Sequence, residues 1–376
     1  MIVLKTTQEK FLAAVQAVIG IVERRHTLPI LANLLIRKTG PLIELTTSDL
    51  ELQLRTQAEL GGDPGMFATT VNARKLADIL RAMPADQTVT LAAAKGRLVL
   101  QGGRSRFTLQ TLPEEEFPLI KPAADFGPAF ALPQKLLRSL IEQVDFAMGV
   151  HDIRYFLNGL LFIADGHSLT LVATDGNRLA LARGSIEPAL PHQQVILPRK
   201  TALELLRLLK DTKTSEKAGQ DAPVEVCFGA AQARFAFNGT LFVSKLIEGR
   251  FPDYQRVIPK GNRHVVTLGR APLLASLQRA AILTSERFRG IRLLVAPGAL
   301  RIASSNAAQE EADEGIDVDY GGDPIEIGLN VGYLTDMLAN SHADMVTMAL
   351  NDAHSSVLFS FPDQTGFEYV VSPMRL

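Results

Sequence analysis

The chain has 376 residues, 47% of them hydrophobic and 21% charged, which is enough for two or three domains, each with its own core. Its net charge of −1 excludes the bulk basic character of a protein that coats nucleic acid, although a total does not register basic residues gathered on one face. Cys227 is the only cysteine, so no intrachain disulfide can form and a reducing compartment fits.

The first ten residues hold no apolar core of signal-peptide length. Apolar stretches such as 12–22 fall short of the roughly 20 residues that cross a bilayer. A cytoplasmic protein without a membrane partner is expected. Apolar residues at helical spacing predict an amphipathic helix over 7–22. Strand-like runs follow through 34–45 and lead into Leu45-Thr46-Thr47-Ser48-Asp49-Leu50-Glu51-Leu52. A second helix is predicted over 72–83. Leu112-Pro113-Glu114-Glu115-Glu116-Phe117-Pro118 ends the first third, and Pro118, Pro122 and Pro128 mark a turn-rich linker.

The same order then recurs. A helix is predicted over 133–148, with Leu136, Leu137, Leu140, Ile141 and Val144 on one face. Strands at 160–172 lead into Val172-Ala173-Thr174-Asp175-Gly176-Asn177-Arg178-Leu179. A helix over 199–209, a polar loop at 212–222 and strand-like runs at 224–228, 233–237 and 241–246 follow. The last third repeats the pattern with helices at 271–284 and 331–340 and the segment Ile302-Ala303-Ser304-Ser305-Asn306-Ala307. Asp49, Asp175 and Asn306 stand roughly 130 residues apart, a period of domain length rather than of a solenoid. The expected fold is α+β, with three similar domains at 1–120, 129–254 and 255–376. Each domain should carry two helices plus antiparallel sheets.

Enzymatic signatures are missing. No phosphate loop, no Gly-x-Gly-x-x-Gly opening a helix, no His-Glu-x-x-His and no cysteine pair occurs. His151-Asp152 is the one dipeptide compatible with a metal-dependent nucleic-acid phosphohydrolase, the alternative function, yet the remaining histidines lack metal-ligand spacing to it. Asp49 and Asp175 occupy the same place in separate repeats, so they are too far apart for shared acid–base work and read as turn-closing residues. No catalytic residue, metal or cofactor is expected.

Basic residues recur on the predicted helices. Arg74, Lys75 and Arg81 belong to one second helix, and Arg199, Lys200, Arg207 and Lys210 to the next. Lys10, Lys135, Arg138 and Arg279 lie on the first-helix set. Equivalent helices sharing one side would present a positive surface to phosphates, without sequence preference. Glu310, Glu311, Asp313, Glu314, Asp317 and Asp319 gather acid in the last third.

Four motifs stand in order along the chain: Arg154-Tyr155-Phe156-Leu157-Asn158-Gly159, Ala173 to Leu179, Phe251-Pro252-Asp253-Tyr254-Gln255-Arg256-Val257-Ile258-Pro259, and Tyr369-Val370-Val371-Ser372-Pro373-Met374-Arg375-Leu376. Together they resemble the bacterial DNA polymerase III beta subunit family, the replication sliding clamps, over nearly the whole chain. The resemblance implies a ring-shaped head-to-tail homodimer of clamp domains, helices inside and sheets outside, acting as a processivity factor and not as an enzyme. Twelve helices packed about 10 Å apart would leave a channel of about 28 Å, wider than a duplex of about 20 Å.

By the same resemblance Arg24, Arg74, Lys75, Tyr155, Phe156, Arg199, Lys200 and Arg207 are candidate neighbours of duplex DNA. A peptide-binding pocket is implied at Leu157, Thr174, Gly176, Asn177, Arg178, Leu179, Pro252, Arg256, Val257, Asn330, Tyr333, Val370, Val371, Ser372, Pro373, Met374, Arg375 and Leu376. Its implied partners are the replicative polymerase alpha subunit, the clamp loader, other polymerases and repair proteins, each docking a short linear motif. The apolar members would form the cleft, and Arg178 and Arg256 would orient the peptide. Asn177 stands where many family members have His, and Ser372 where many have Met. For the dimer, Lys75, Arg104, Arg106 and Phe107 are expected opposite Glu310, Glu311 and Glu314 of a second copy, with Ile282 and Leu283 adding apolar contact.

Overall fold

The computed structural model describes residues 1–23, 28–210, 223–285 and 289–375. The predicted 212–222 loop, Arg24 and Leu376 lie outside these. Among the described residues are six α-helices: α1 (Gln8–Val18), α2 (Ala73–Arg81), α3 (Gln134–Val144), α4 (Arg199–Lys210), α5 (Arg270–Ala281) and α6 (Val331–Ala339). They fall within a few residues of the positions that apolar spacing predicts. Two have side-chain caps at their starts: the Asn72 carboxamide oxygen accepts from the Lys75 amide at 3.0 Å, and Asn330 accepts from the Gly332 and Tyr333 amides. The last turn expected of α1 tightens into a 3-10 helix at Ile19–Ile21.

The chain divides into two compact units, Met1–Gln134 with Arg207–Leu246, and Lys135–Leu206 with Ile247–Leu376. In the first unit α1 and α2 pack through buried Phe11, Val15 and Val18 on one side and Leu76, Ala77 and Leu80 on the other. Burial of such side chains contributes about 1.5–3 kcal/mol each. The sheet of this unit has twelve strands, and it runs beyond the first third. Leu52–Glu59 pairs with Thr240–Lys245, setting Leu52 opposite Ser244 and Thr56 opposite Thr240. Separate small sheets were expected here. Joining them closes two strand edges that would otherwise expose unpaired backbone groups. Cys227, on Pro223–Phe228, is 2% exposed, and its thiol donates to the Gly127 carbonyl at 3.0 Å.

In the second unit the hairpin of Gly159–Thr174 and Arg178–Pro198 opens a six-stranded sheet. The C-terminal strand Phe367–Val371 joins it, with Val371 opposite Arg178 and Phe367 opposite Ala182. Leu161, Val172, Leu179, Leu181, Ile196, Phe251 and Val370 form a buried cluster on this sheet. A four-stranded sheet runs in the order Glu311–Asp317, Ala299–Ser305, Gly290–Ala296, Ile325–Asn330. Helices α5 and α6 pack together through Leu273, Leu277, Leu334, Met337 and Leu338.

Each unit leaves an edge open. Ser105–Leu112 pairs along Arg97–Gly102, but with Met66–Asn72 only at Leu112 and Thr111, so most of its second side is free. Arg106 and Phe107 stand on that stretch and are exposed. Arg104, expected on the strand, occupies instead the two-residue hairpin turn with Gly103, whose φ of +56° suits such a turn. In the second unit Glu311–Asp317 pairs only with Ala299–Ser305. Glu310 precedes it and accepts from the Asn306 side chain at 2.6 Å. Glu314, expected to meet a second copy, is engaged within its own chain by Arg279 of α5 at 2.5 Å. Ile282, 76% exposed, and half-buried Leu283 lie just beyond α5.

The repeated acidic segment has one structural job in all three copies. Asp49 Oδ1 accepts from the Glu51 and Leu52 amides at 2.9 and 2.6 Å. Asp175 Oδ1 accepts from Asn177 and Arg178, and Asn306 Oδ1 from Ala308 and Glu310. Each carboxylate or carboxamide thus closes the turn between two strands. Replacing Asp49 by Ala leaves two amides without that acceptor and is expected to destabilise the fold by about 1–3 kcal/mol, read as a lower urea midpoint; an unchanged midpoint contradicts the assignment.

Candidate functional site

The hairpin loop at 175–177, the segment after Phe251 and the end of the last strand meet in the second unit around a cavity of about 240 Å³. Leu157, Thr174, Gly176, Asn177, Arg178, Leu179, Pro252, Val257, Val370 and Ser372 line it, as expected from the sequence. Arg154, Phe156 and Tyr254 complete the lining. Phe156 had been expected beside DNA; its ring instead packs on the buried cluster beneath the cleft. Tyr254 stands in the Phe-Pro-Asp-Tyr run and Arg154 opens the first of the four motifs, so both were marked by the sequence.

The other described residues of the expected pocket are not in this lining. Val371 neighbours Val370 on a strand, so it faces the opposite side and is fully buried. Asn330 is occupied as the cap of α6. Tyr333 covers Arg178, its ring 4.6 Å from the guanidinium carbon. Arg256 is 86% exposed and paired with Asp253 at 2.9 Å, outside the cleft. Pro373, Met374 and Arg375 leave the cleft after Ser372: the Ser372 amide donates to the Asn177 carbonyl, and the Met374 amide to the Gly328 carbonyl, both at 2.9 Å. The tail therefore crosses from the six-stranded sheet to the four-stranded one.

Charge at the cleft is already spoken for. The Arg178 side chain is 11% exposed; its Nε donates to Asp175 Oδ2 at 3.0 Å, Nη1 to Asp336 Oδ2 at 2.6 Å and Nη2 to the Phe146 carbonyl at 2.6 Å. Burial alone would favour losing its proton, but Tyr369, Asp336 and Asp175 hold the cation more firmly than usual. Burial in turn pushes the Tyr369 phenol well up, and its hydroxyl donates to the Tyr333 carbonyl at 2.9 Å. Arg178 thus acts as a tie whose stem lines the cleft, rather than as the peptide-orienting cation expected. Gly176 has φ +91°, a conformation that favours glycine, and a Cβ there would come within 2.7 Å of the Arg154 guanidinium and displace it.

His151-Asp152 forms no catalytic site. Asp152 grips Arg154 through both oxygens, at 3.0 and 2.8 Å, and the Arg154 side chain and amide pull its carboxyl down to about 2. Among the described residues no three His, Cys, Asp or Glu side chains gather closely enough to hold a metal ion. No described helix is long and apolar enough to cross a membrane.

The family models for the DNA polymerase III beta subunit match in series: its N-terminal domain at residues 2–121, its central domain at 131–253 and its C-terminal domain at 255–375. The chain belongs to the DNA polymerase III beta subunit family. The beta sliding clamp of Pseudomonas aeruginosa is 42% identical over 377 residues, covering 98% of each chain, and that of Escherichia coli K12 is 41% identical over 369 residues, again 98% of each. The crystal structure of the P. aeruginosa subunit superposes with a TM-score of 0.91 at 40% identity over 99% of each chain. A second P. aeruginosa clamp structure, bound to griselimycin, matches with a TM-score of 0.92 at 41% identity and the same coverage. As a beta subunit, the chain has the three-domain clamp fold and serves DNA polymerase III as a non-catalytic processivity factor.

Of the residues expected at DNA, Lys75 is exposed on α2 and Tyr155 is 57% exposed. Arg74 is half-buried and donates to the Val22 carbonyl. Arg199 donates to the Asp145 carbonyl at 3.3 Å. Lys200 and Arg207 are half-buried. Elsewhere on the helices Arg81 pairs with Asp78, Arg138 with Glu142 and Arg279 with Glu314. The free positive charge is accordingly sparser than the sequence suggests.

The Asp152 carboxyl lies below its ordinary 3.8, so its pair with Arg154 favours the folded chain fully above that value. This contribution fades as pH falls toward about 2. A carbon-detected NMR titration is expected to place the Asp152 midpoint near 2; a midpoint at the ordinary value contradicts the pair.

Proposed function

We propose that two copies close head to tail into a ring around duplex DNA, and that the cleft at 174–179 docks short linear motifs of polymerases, the clamp loader and repair proteins. The observation that carries the ring is the pair of open strand edges. One bears Arg106 and Phe107 beside Arg104; the other bears Glu311, Asp313 and Glu314 after Glu310. Edge-to-edge pairing would satisfy both rows of backbone groups, and the opposite charges would steer register. Lys75, Ile282 and Leu283 would flank the contact.

Three domains, at 1–120, 129–254 and 255–376, bring two helices each to such a ring. Lys75, Tyr155, Arg199, Lys200 and Arg207, together with Arg24 and Arg74, would meet phosphates loosely. Loose contact suits a ring that must slide, since topology rather than affinity keeps it on the duplex. Salt should therefore weaken chance encounters without releasing a closed ring from a circle. The cleft is apolar where Leu157, Leu179, Pro252, Val257 and Val370 line it, as a site for a short peptide's apolar side chains requires. The P. aeruginosa clamp of the same fold has been crystallised bound to griselimycin, which makes that compound a probe for this cleft. Work on chromosomal DNA places the protein in the cytoplasm.

Loaded onto nicked circular DNA, the protein is expected to remain through gel filtration, and to run off after the circle is linearised. Equal retention on both forms would overturn encirclement. Reversing both Arg104 and Arg106 to Glu is expected to raise the dimer dissociation constant at least about tenfold at low salt, measured by analytical ultracentrifugation; no change in the constant or its salt dependence would exclude this edge.

A further inference from the structure

The cleft's lip rests on a residue that does not line the cleft. Asp175 Oδ1 holds the Asn177 and Arg178 amides, while its Oδ2 takes the Arg178 Nε. The lip is therefore as well placed as the Arg178 guanidinium is. The guanidinium's hydrogen bonds run to Asp175 from the lip itself, to the Phe146 carbonyl and to Asp336 Oδ2 on α6, and Tyr369 on the last strand adds its hold. Asp336 is the carboxylate among them from the last third of the chain, and it stands on α6.

Helix energetics give no reason for an acid at this place. Asp336 sits in the last turn of α6, where the negative end of the helix dipole opposes a carboxylate. It contributes nothing to the buried face, which is made by Val331, Leu334, Met337 and Leu338, and its side chain is 48% exposed. Its partner is the opposite case, a cation with a side chain 11% exposed. A buried guanidinium that loses one fixed acceptor either recruits water or rotates. Rotation would draw Nε away from Asp175 and release the turn that Asp175 closes.

We propose that Asp336 is a positioning residue for the peptide cleft: by fixing Arg178 it sets the 175–177 lip, so the cleft is fully formed only while α6 is docked. The consequence for function rests on the cleft reading given above. Ligand binding and the docking of α6 are then linked, each favouring the other by the same factor.

The test uses the full chain with Asp336→Ala and Asp336→Glu. Amide hydrogen exchange of the unliganded protein reads the lip, and calorimetric titration with griselimycin reads the cleft. For Asp336→Ala the expected result is about tenfold faster exchange at Gly176, Asn177 and Arg178 and about tenfold weaker griselimycin binding, equivalent to about 1.4 kcal/mol. The buried face of α6 is untouched, so exchange within α6 should stay as in the parent chain, and Asp336→Glu should recover most of both effects. Unchanged exchange at the three amides in Asp336→Ala overturns the proposal, as does a general rise in exchange across α6. Faster lip exchange with no griselimycin binding by the parent chain supports the brace and overturns the cleft reading instead.

Discussion

An antiparallel sheet leaves a row of unpaired amides and carbonyls wherever it stops, and the placing of those rows organises this chain. Within the first unit Leu52–Glu59 and Thr240–Lys245 cover one another, though nearly two hundred residues of sequence lie between them. Within the second, Arg178–Pro198 and Phe367–Val371 do the same. Among the edges left open are those of Ser105–Leu112 and Glu311–Asp317, and both carry charge. A charged edge resists indiscriminate stacking while remaining able to pair with a complementary strand. Stability and assembly thus draw on one supply of backbone groups, some used within the chain and some held for a second copy.

The pairing of Arg178 with Val371 also explains why the cleft lies where it does. The strand that begins at Arg178 and the strand that ends at Val371 are neighbours, and the Asn177 carbonyl holds the Ser372 amide just beyond them. The loop before one strand and the tail after the other therefore both border the cleft. Its floor is the cluster of Leu179, Val370 and Phe251, and its lip is the turn closed by Asp175. The equivalent turns are closed in kindred ways, Asp49 accepting from the amides two and three residues on and Asn306 from those two and four on. What separates the middle copy is Arg178, a cation enclosed by Asp175, Asp336 and Tyr333.

Local features were legible in the sequence because local forces produce them. Apolar spacing located α1 through α6, and the recurrence of Asp49, Asp175 and Asn306 revealed three equivalent turns. Ten residues that the family resemblance groups together line one cavity. The errors come from long-range partners. Nothing near Glu314 in sequence announces that Arg279 takes it, and nothing near Arg178 points to Asp336, 158 positions away. The family resemblance groups Met374 and Arg375 with the cleft, but the Met374 amide is drawn to the Gly328 carbonyl. Side-chain alternation was available for Val371 and would have excluded it.

Cys227 carries a practical consequence. Its sulfur is shut inside the sheet beside Gly127, and it is the sole thiol of the chain. A cysteine introduced on the surface would accordingly be the one readily reactive sulfur in each subunit. Paired cysteines on facing edge strands could lock two copies covalently, and a single dye on an exposed helix would report position without background labelling. The molecule thus comes ready for covalent bookkeeping of its own assembly, with no residue needing to be removed first.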